Sequence, residues 1–407
     1  MSKWKEYQFS DIAKFEKGVN YTSSDYSTVN NGIPFISIKC LKKGGGFNNR
    51  GIKYLKDRFS NNDKLKSNDL LFSITDLTRA GDIVGSPLLI PELYKNSVAS
   101  MDMMKVYLIN NRADIIFIYH LMMLKKVRYY FVNHSSGSTV LHLEVSSIPK
   151  IKIKLPPLPH QRKIARILTA VDNVIEKTES AIAKYKAIKQ GMMHNLFTRG
   201  IDAKTGKLRP TKEEAPHLYK ETDLGWIPKV WEVERLEKLG YISYGKDYKA
   251  NPKGDSVPIW GTGGIMGFTS IYLNKGPAIL TGRKGSINNP FYVEGEFWNV
   301  DTIFCVKTYD NVNIKWLFHN FENTDLTKLN EATGVPSVNS QALYKLLFST
   351  PPKNEQKVIS NKLATLDKKI ETEQKQLSKL QKLKQGLMQD LLTGKKEVEP
   401  DKEDYDE

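Results

Sequence analysis

The 407-residue sequence is poor in cysteine and contains no long apolar run, and both absences narrow the class of protein. Its two cysteines, Cys40 and Cys305, stand far apart and belong to no Cys-x-x-Cys pair, which argues against a disulfide framework and a structural zinc site. No stretch of about 18 apolar residues is present, so we expect no transmembrane helix. The opening residues, Met1–Glu6, contain no apolar signal stretch. We therefore expect a cytoplasmic protein.

The common catalytic motifs are also missing. No Gly-x-x-x-x-Gly-Lys-Ser/Thr sequence occurs, which argues against a P-loop nucleotide site, and no His-Glu-x-x-His sequence suggests a catalytic metal. The glycine-rich stretch Gly261–Gly264 lies between strand-like segments and is typical of a turn. Because no complete catalytic constellation appears, the sequence favours a binding protein over an enzyme.

Basic residues are plentiful, and they are concentrated in the first half of the chain. Lys and Arg number 61 against 45 Asp and Glu, which gives a formal net charge of +16. Residues 1–150 carry 21 basic and 13 acidic side chains, and residues 151–200 carry 10 and 3, whereas residues 201–350 are nearly balanced at 18 and 17. A chain this basic most often binds nucleic acid. The last segment, Glu397–Glu407, holds seven acids and one lysine, and such a composition predicts a disordered tail.

An internal repeat dominates the organisation of the chain. The pair Pro156-Pro157 recurs 195 residues later as Pro351-Pro352, and the two copies share 15 identities over 43 positions in one ungapped register. Among the identical pairs are Gln161/Gln356, Asp172/Asp367, Lys189/Lys384 and Gly191/Gly386.

Each copy of the repeat is predicted to be one long helix. Proline is tolerated in the first turn of a helix but cannot continue one, so each proline pair fits a helix start. Apolar residues then follow at heptad spacing, which is typical of a coiled coil. These seam positions are Ile164, Leu168, Val171, Ile175, Ile182, Tyr185, Met192 and Leu196 in the first copy, and Ile359, Leu363, Leu366, Ile370, Leu377, Leu380, Leu387 and Leu391 in the second.

Both seams are interrupted at the same two places, by Thr178 and Lys189 in the first copy and by Glu373 and Lys384 in the second. Polar seam residues can fix the register and the number of partner helices. An ordinary helix bundle or a zipper between two chains would show a similar pattern. We favour pairing within the chain, because two similar helices that each follow their own globular segment can satisfy one another.

A strand-rich globular segment precedes each long helix. Runs such as Ile33–Ile38 and Leu70–Ile74 in the first half, and Ala278–Leu280 in the second, combine β-branched, aromatic and leucine residues and are separated by turn sequences. Helices are predicted over Ile115–Tyr130 and Asn313–Glu322. The chain is therefore predicted to be two halves, each a globular domain followed by a long helix.

Several polar clusters in these globular segments have the composition of DNA-binding loops. A glycine-flanked basic turn lets backbone N–H groups approach phosphate, and arginine can bind guanine with two hydrogen bonds. A solvated hairpin turn is the alternative at each position. The candidates are Arg283, Lys284 and Ser286; Lys246, Tyr248 and Lys249; Lys42, Lys43 and Arg50; Thr75, Thr78 and Arg79; and Ser138 with Thr139.

Together these features identify a family. The chain resembles the specificity (S) subunit of type I restriction–modification systems, and the resemblance covers nearly all of it. The matching motifs are Pro-Pro-x-x-x-Gln at Pro156–Gln161 and Pro351–Gln356, the helix endings Lys189–Met193 and Lys384–Met388, the opening Gly225–Trp231 of the second half, and Ile279–Ser286 with Asn299–Thr302.

The resemblance implies an α+β fold with two globular target-recognition domains, separated by two long conserved helices that form an antiparallel intramolecular coiled coil with a pseudo-two-fold repeat. It further implies that each domain reads one half of an asymmetric two-part DNA site. The implied boundaries are target-recognition domain 1 at 1–155, spacer helix 1 at 156–199, a linker at 200–225, target-recognition domain 2 at 226–350, spacer helix 2 at 351–394, and an acidic disordered tail at 395–407.

The resemblance also implies the partners. These are double-stranded DNA, two DNA methyltransferase (M) subunits docked on the helices, and restriction (R) subunits, with no membrane association. The chain itself would be non-catalytic and would bind no cofactor or metal, because S-adenosylmethionine, ATP and Mg²⁺ would be used by the partner subunits. Two alternatives remain open: a coiled-coil DNA-binding scaffold, and a DNA methyltransferase or nuclease with an unrecognised site.

Overall fold

The computed structural model describes residues 4–405 and divides into two compact units. Unit 1 comprises residues 1–178 with 376–407, and unit 2 comprises residues 179–375. Each unit contains one globular domain and a segment of each long helix. Within the described residues, no helix is both long enough and apolar enough to cross a membrane.

Unit 1 contains thirteen strands among its described residues. They are β1 (Lys5–Gln8), β2 (Ala13–Lys17), β3 (Tyr26–Ser27), β4 (Ile33–Ile36), β5 (Lys53–Leu55), β6 (Leu70–Ser73), β7 (Thr75–Asp76), β8 (Pro87–Leu89), β9 (Val98–Ala99), β10 (Met103–Leu108), β11 (Ser135–Ser136), β12 (Leu141–Leu143) and β13 (Lys152–Leu155). Its globular part also has two helices, α1 (Ile115–Met122) and α2 (Lys125–Asn133). The first long helix, α3 (Leu158–Thr198), begins in this unit.

The sheets of unit 1 are built from strands distant in sequence. One antiparallel sheet has the order β2-β10-β6-β8, and a second has the order β3-β5-β4-β9, in which β4 and β9 run parallel. Helices α1 and α2 cover the first sheet, and the core between them holds Phe72, Val106, Phe117 and Phe131. The helix predicted over Ile115–Tyr130 is therefore two helices, since the chain leaves helical geometry at Leu124.

Unit 2 repeats this plan. Its strands are β14 (Tyr219–Thr222), β15 (Gly225–Pro228), β16 (Glu232–Arg235), β17 (Gly240–Tyr244), β18 (Lys253–Gly261), β19 (Gly264–Thr269), β20 (Asn274–Lys275), β21 (Ala278–Gly282), β22 (Phe291–Val293), β23 (Glu296–Asn299), β24 (Ile303–Thr308) and β25 (Leu347–Thr350). Its helices are α4 (Leu236–Leu239), α5 (Ile314–Asn323), α6 (Ser340–Tyr344) and the second long helix, α7 (Lys353–Leu391), which ends in unit 1.

The strand order of the second unit shows that the two domains are copies of one fold. The sheet β17-β24-β21-β22 has the same pairings as β2-β10-β6-β8, and β18 runs parallel to β23 as β4 does to β9. Together with the paired long helices, this confirms the predicted α+β fold with an internal repeat.

The long helices run antiparallel to each other within each unit. In unit 2, the Lys369 ammonium lies over the Tyr185 ring, and Lys189 Nζ lies 2.6 Å from Asp367 Oδ1. In unit 1, the repeat-related contact places Lys384 Nζ 2.6 Å from Asp172 Oδ1. All sixteen predicted seam residues are buried or half-buried. Each lysine that interrupts a heptad seam therefore forms an ion pair with the aspartate that is identical in both copies of the repeat.

A glutamine fixes the start of each long helix. The Gln161 amide donates a 2.8 Å hydrogen bond to the Pro156 carbonyl, and its oxygen accepts the backbone N–H of Asp114, the N-cap of α1. Gln356 repeats both contacts with Pro351 and with Asn313, the N-cap of α5. Both glutamines are buried, so the Pro-Pro-x-x-x-Gln motif joins each long helix to its own domain.

The segment predicted to be a linker and the segment predicted to be a disordered tail both contain regular structure. Residues 200–225 pack within unit 2, where Ile201 is buried and β14 and β15 form a hairpin. The acidic tail predicted to be disordered turns back onto α3 in unit 1, where Asp401 caps a short 3₁₀ helix (Lys402–Asp404). The acidic composition of this segment predicts disorder, whereas in the structure its acids pair with Lys163 and Arg166 of α3.

Candidate nucleic-acid interface

The basic turn after β21 is held in place by three backbone hydrogen bonds to two neighbouring segments. The N–H groups of Arg283 and Lys284 donate to the Thr302 carbonyl at 2.8 and 3.1 Å, and the N–H of Gly285 donates to the Pro336 carbonyl at 2.8 Å. The Lys284 side chain and Ser286 are exposed. A turn anchored through its backbone leaves its side chains free to meet a ligand.

The Arg283 side chain lies at the edge of a shallow cleft. Its guanidinium donates to the Asp301 carbonyl at 3.1 Å and lies 5.6 Å from the centre of the Tyr244 ring. The Tyr244 hydroxyl shares a 2.7 Å hydrogen bond with Ser340. Asn339 and Ser340 also line the cleft. Because several guanidinium N–H groups remain available, Arg283 can still bind a base edge or a phosphate.

The segment Lys246–Lys249 lies just after Tyr244, from which only Gly245 separates it. The Lys246 backbone is fixed at both ends, since its N–H donates to the Asn299 carbonyl at 3.0 Å and its own carbonyl accepts from Trp298 Nε1 at 2.9 Å. The side chains of Lys246 and Lys249 are exposed, whereas Tyr248 packs partly against the core. Tyr248 therefore serves the fold, and the two lysines remain candidates for phosphate contacts.

In unit 1 the candidate loop after β7 is organised by a buried carboxylate. Asp76 accepts the backbone N–H groups of Thr78, Ile83 and Val84 at 2.7, 2.5 and 3.0 Å. Burial raises the pKa of Asp76, but these hydrogen bonds outweigh it and hold that pKa below its ordinary value. The carboxylate stays charged and shapes the loop that carries Thr78 and exposed Arg79.

Arg128 of α2 holds the same loop from the opposite side. Its guanidinium donates to the backbone carbonyls of Gly81, Asp82 and Val84, and burial lowers its pKa to about 10. The Asp82 carboxylate in turn lies 2.6 Å from Lys43 Nζ. The structure thus brings the Lys42–Lys43 turn next to the Thr78–Arg79 loop.

The remaining candidates of unit 1 differ in exposure. Thr75 is buried, and its hydroxyl donates to Asp102 at 3.0 Å, so it supports the loop instead of facing solvent. Ser138 and Thr139 are exposed in the turn between β11 and β12, and β12 pairs with β7. Arg50 is exposed at the base of the lysine turn.

The two candidate loops occupy the same position in the repeated fold. The N–H of Ile74 donates to the Asp102 carbonyl, and the N–H of Leu143 donates to the Ile74 carbonyl. In unit 2 the N–H of Arg283 donates to the Thr302 carbonyl, and the N–H of Val338 donates to the Arg283 carbonyl. Thr75 and Lys284 therefore occupy equivalent backbone positions, although the local sequences share no similarity.

An apolar edge that the sequence did not reveal lies beside the basic turn. Ile265, Met266 and Phe268 of β19 are about half exposed, and a side chain at Gly285 would touch Thr262 in the turn that precedes β19. The sequence indicated only a turn at Gly261–Gly264 and gave no sign of this apolar edge. Tyr244, Asp76 and Arg128 were also missed, because only tertiary contacts connect them to the candidate loops.

One acidic cluster in unit 2 has ligand atoms close enough for a metal ion. His319, Glu322 and Asp367 bring such atoms within 4.8 Å of one another. The Lys189 ammonium already lies 2.6 Å from both carboxylates, so a positive charge is supplied by the protein. Burial raises the pKa of Glu322, but His319 and Lys189 outweigh it and hold the pKa low. We assign no metal to this cluster.

Comparison with known proteins agrees with this architecture. The sequence profile described as "Type I restriction modification DNA specificity domain" matches residues 1–185 and 228–382. The chain is 26% identical, over 96% of its length and 92% of the relative's, to the type I restriction enzyme MjaVIII specificity subunit of Methanocaldococcus jannaschii. It shares its fold with the type I restriction–modification S subunit of M. genitalium, with a TM-score of 0.67, 16% identity and 96% of each chain covered.

The matched ranges contain both globular domains and most of both long helices, and they include every candidate loop described above. The matches support neither a scaffold nor a methyltransferase or nuclease with an unrecognised site. The chain belongs to the type I restriction–modification DNA specificity family and is its non-catalytic specificity subunit.

Proposed function

We propose that unit 1 and unit 2 each read one part of a two-part asymmetric DNA sequence. The observation that supports this division is the equivalent placement of two dissimilar loops, Thr75–Arg79 and Arg283–Ser286, on two copies of one fold. A fold that is repeated while its exposed loop differs is suited to recognising two different sequences. Side chains on such loops reach base edges and phosphates.

The two units use different chemistry at this position. Unit 1 presents Lys42, Lys43 and Arg79 around its loop, which agrees with the excess of basic residues in the first half. Unit 2 presents Arg283 and Lys284 next to the apolar edge of β19. Apolar side chains can contact thymine methyl groups or wedge between base steps, so a nearly neutral domain can still bind DNA.

The partner subunits belong to the same proposal. Two methyltransferase subunits would dock on the exposed faces of the long helices and supply S-adenosylmethionine chemistry, and restriction subunits would supply ATP- and Mg²⁺-dependent cleavage. The chain itself would contribute recognition and spacing, and it would bind no cofactor. A cytoplasmic location accompanies this proposal.

Replacing Arg283 and Lys284 by alanine tests whether unit 2 reads one half-site independently of unit 1. We expect recognition of one half-site to be relaxed, at a cost of about 1–3 kcal/mol for a lost two-bond arginine contact, while the other half-site stays intact. The measurement is the methylation motif in cells that express the variant with its methyltransferase. The double variant Lys42→Ala with Lys43→Ala should weaken recognition of the other half-site and leave the first unchanged.

The charge-matched control is Lys395→Ala with Lys396→Ala, two exposed lysines just beyond the end of α7. It should leave both half-sites unchanged. If the Arg283 and Lys284 variant alters both half-sites equally, these side chains act through folding or general charge, and the proposed assignment of unit 2 is wrong.

A further inference from the structure

The C-terminal segment occupies a basic surface near the start of α3. Arg166 contacts three acids, with Nη2 lying 2.5 Å from Asp401 Oδ2 and 3.1 Å from Asp404 Oδ2, and Nη1 lying 2.8 Å from Glu403 Oε2. Lys163 also pairs with Asp401, and Arg162 donates to the Asp404 backbone carbonyl at 3.0 Å. Three cations of one helix are thus covered by one tail.

This arrangement is absent from the second copy of the repeat. The positions that match Arg162, Lys163 and Arg166 at the shift of 195 are Lys357, Val358 and Asn361. The basic cluster is therefore a feature of α3 alone. Helix pairing, which both copies share, does not explain why α3 carries it. The acids that cover it belong to the most acidic stretch of the chain.

The geometry of the contacts resembles phosphate binding. A guanidinium presents paired N–H groups that match the oxygens of a carboxylate or a phosphate equally well. Glu403 and Asp401 remain mostly exposed, at 82% and 53% of their side chains, and exposed ion pairs are individually weak and screened by salt. A duplex with one charge per about 1.7 Å of axis can displace such a tail.

We propose that Arg162, Lys163 and Arg166 form a phosphate-binding surface for double-stranded DNA, and that residues 400–405 are its tethered competitor. The inference rests on the proposed function, since it assumes that this chain binds DNA. The tail would suppress binding to DNA of unrelated sequence. A correct site engages both recognition units and so retains enough affinity to displace it.

The test neutralises the tail by Asp401→Asn, Glu403→Gln and Asp404→Asn in the full chain with its methyltransferase. Binding to a fluorescent duplex that lacks the methylation motif is measured between 50 and 200 mM KCl. We expect several-fold tighter binding at low salt and a salt slope steeper by roughly two to three, because each additional phosphate that the surface neutralises adds nearly one to the slope. A truncated chain that ends at Glu399 lacks the tail acids but keeps Val398 packed on the core. It should show the same increase in affinity and in salt slope as the neutral tail.

The matched control changes three exposed acids elsewhere, by Glu213→Gln, Glu221→Gln and Asp223→Asn, with the same change in net charge. It should leave the slope nearly unchanged. Adding Arg162→Ala, Lys163→Ala and Arg166→Ala to the neutral tail should abolish the increase in affinity. Inorganic polyphosphate serves as a second probe.

The proposal is overturned if the control tightens binding as much as the neutral tail, if the tighter binding persists without the three cations, or if only polyphosphate binding improves. Methylation of the specific motif is measured in parallel. Loss of all motif-dependent methylation in the unaltered complex would instead reject the proposed function, so the two failures are distinguishable.

Discussion

Partly buried ion pairs connect the two long helices in each unit. Lys189 and Lys384 occupy equivalent positions of the two long helices, and each pairs with the aspartate that the repeat shares, Asp367 or Asp172. The second partner of each lysine differs. Lys189 also pairs with Glu322, whereas Lys384 lies 3.9 Å from the sulfur of Met123. Removing one partner of a buried pair is far more costly than removing an exposed one.

His120 makes unit 1 sensitive to acid. The ring is fully buried beside Lys384 and 3.9 Å from Asp172, and burial followed by the Lys384 charge lowers the pKa of His120 to about 3 from 6.5. Between pH 3 and pH 6.5 this histidine is protonated in the unfolded chain but not in the folded chain. The free energy of unfolding therefore falls as the pH falls. From pH 7 to pH 5 we expect a loss of about 2 kcal/mol from this residue.

His120→Gln should remove most of that loss, and His142→Gln, at an exposed position, should not. The measurement is urea unfolding of unit 1 at both pH values. An unchanged pH dependence in the His120 variant would contradict the assignment.

Glu355 connects four parts of unit 2. Its carboxylate accepts from both terminal nitrogens of Arg209, from the Ile201 backbone at 2.8 Å and from Trp231 Nε1 at 3.1 Å, and it raises the pKa of Arg209. Glu355→Ala should cost about 3–5 kcal/mol, since it leaves a largely buried guanidinium without its partner.

The comparison variant is Glu232→Ala, which breaks the more exposed pair with Lys220 and should cost less than about 1 kcal/mol. The measurement is urea unfolding of unit 2 at neutral pH. Equal effects of the two substitutions would show that Glu355 does not connect these parts.

At the scale of elements, the long helices were predictable because their signal is local and repeated. The heptads and proline pairs located both helices, and the shared Asp172 and Asp367 were visible in the repeat. The sequence did not show that these aspartates pair with the seam lysines, because antiparallel pairing joins residues about two hundred positions apart.

The globular domains were less predictable for a physical reason. Their sheets pair strands distant in sequence, such as β4 with β9, and such contacts leave no periodic pattern. The basic loops were proposed as DNA-binding from their composition and remain a prediction, but Thr75 is buried in the structure and Tyr244 was not among the candidates. The pairing of the acidic tail with Arg162, Lys163 and Arg166 could not be predicted, because these residues come close to the tail only in the folded chain.

The proposed spacing role of the helices makes a prediction at the same scale. Seven residues inserted into α3 alone lengthen it by about 10 Å and move Lys189 away from Asp367. We expect assembly with the methyltransferase to fail or the spacing between half-sites to change. A matched insertion in α7 should restore assembly, with a spacer longer by roughly three base pairs.

The measurement is co-purification followed by methylation sequencing. A single insertion that leaves affinity and spacing unchanged would reject the spacing role.

At the scale of the whole molecule, duplication provides one scaffold with two different loop sets. Most of what the copies share lies in the long helices and their junctions, such as the contacts of Gln161 and Gln356. What they do not share lies in the exposed loops and in the charge of the two halves. This division of shared framework and divergent surface is what a specificity subunit requires.

The most direct test of this account is the methylation pattern of DNA in cells that express the partner methyltransferase subunit with and without this chain. We predict an asymmetric two-part adenine motif that appears only when the chain is present. A stable complex that produces no chain-dependent motif would contradict the assignment of DNA reading to these two units.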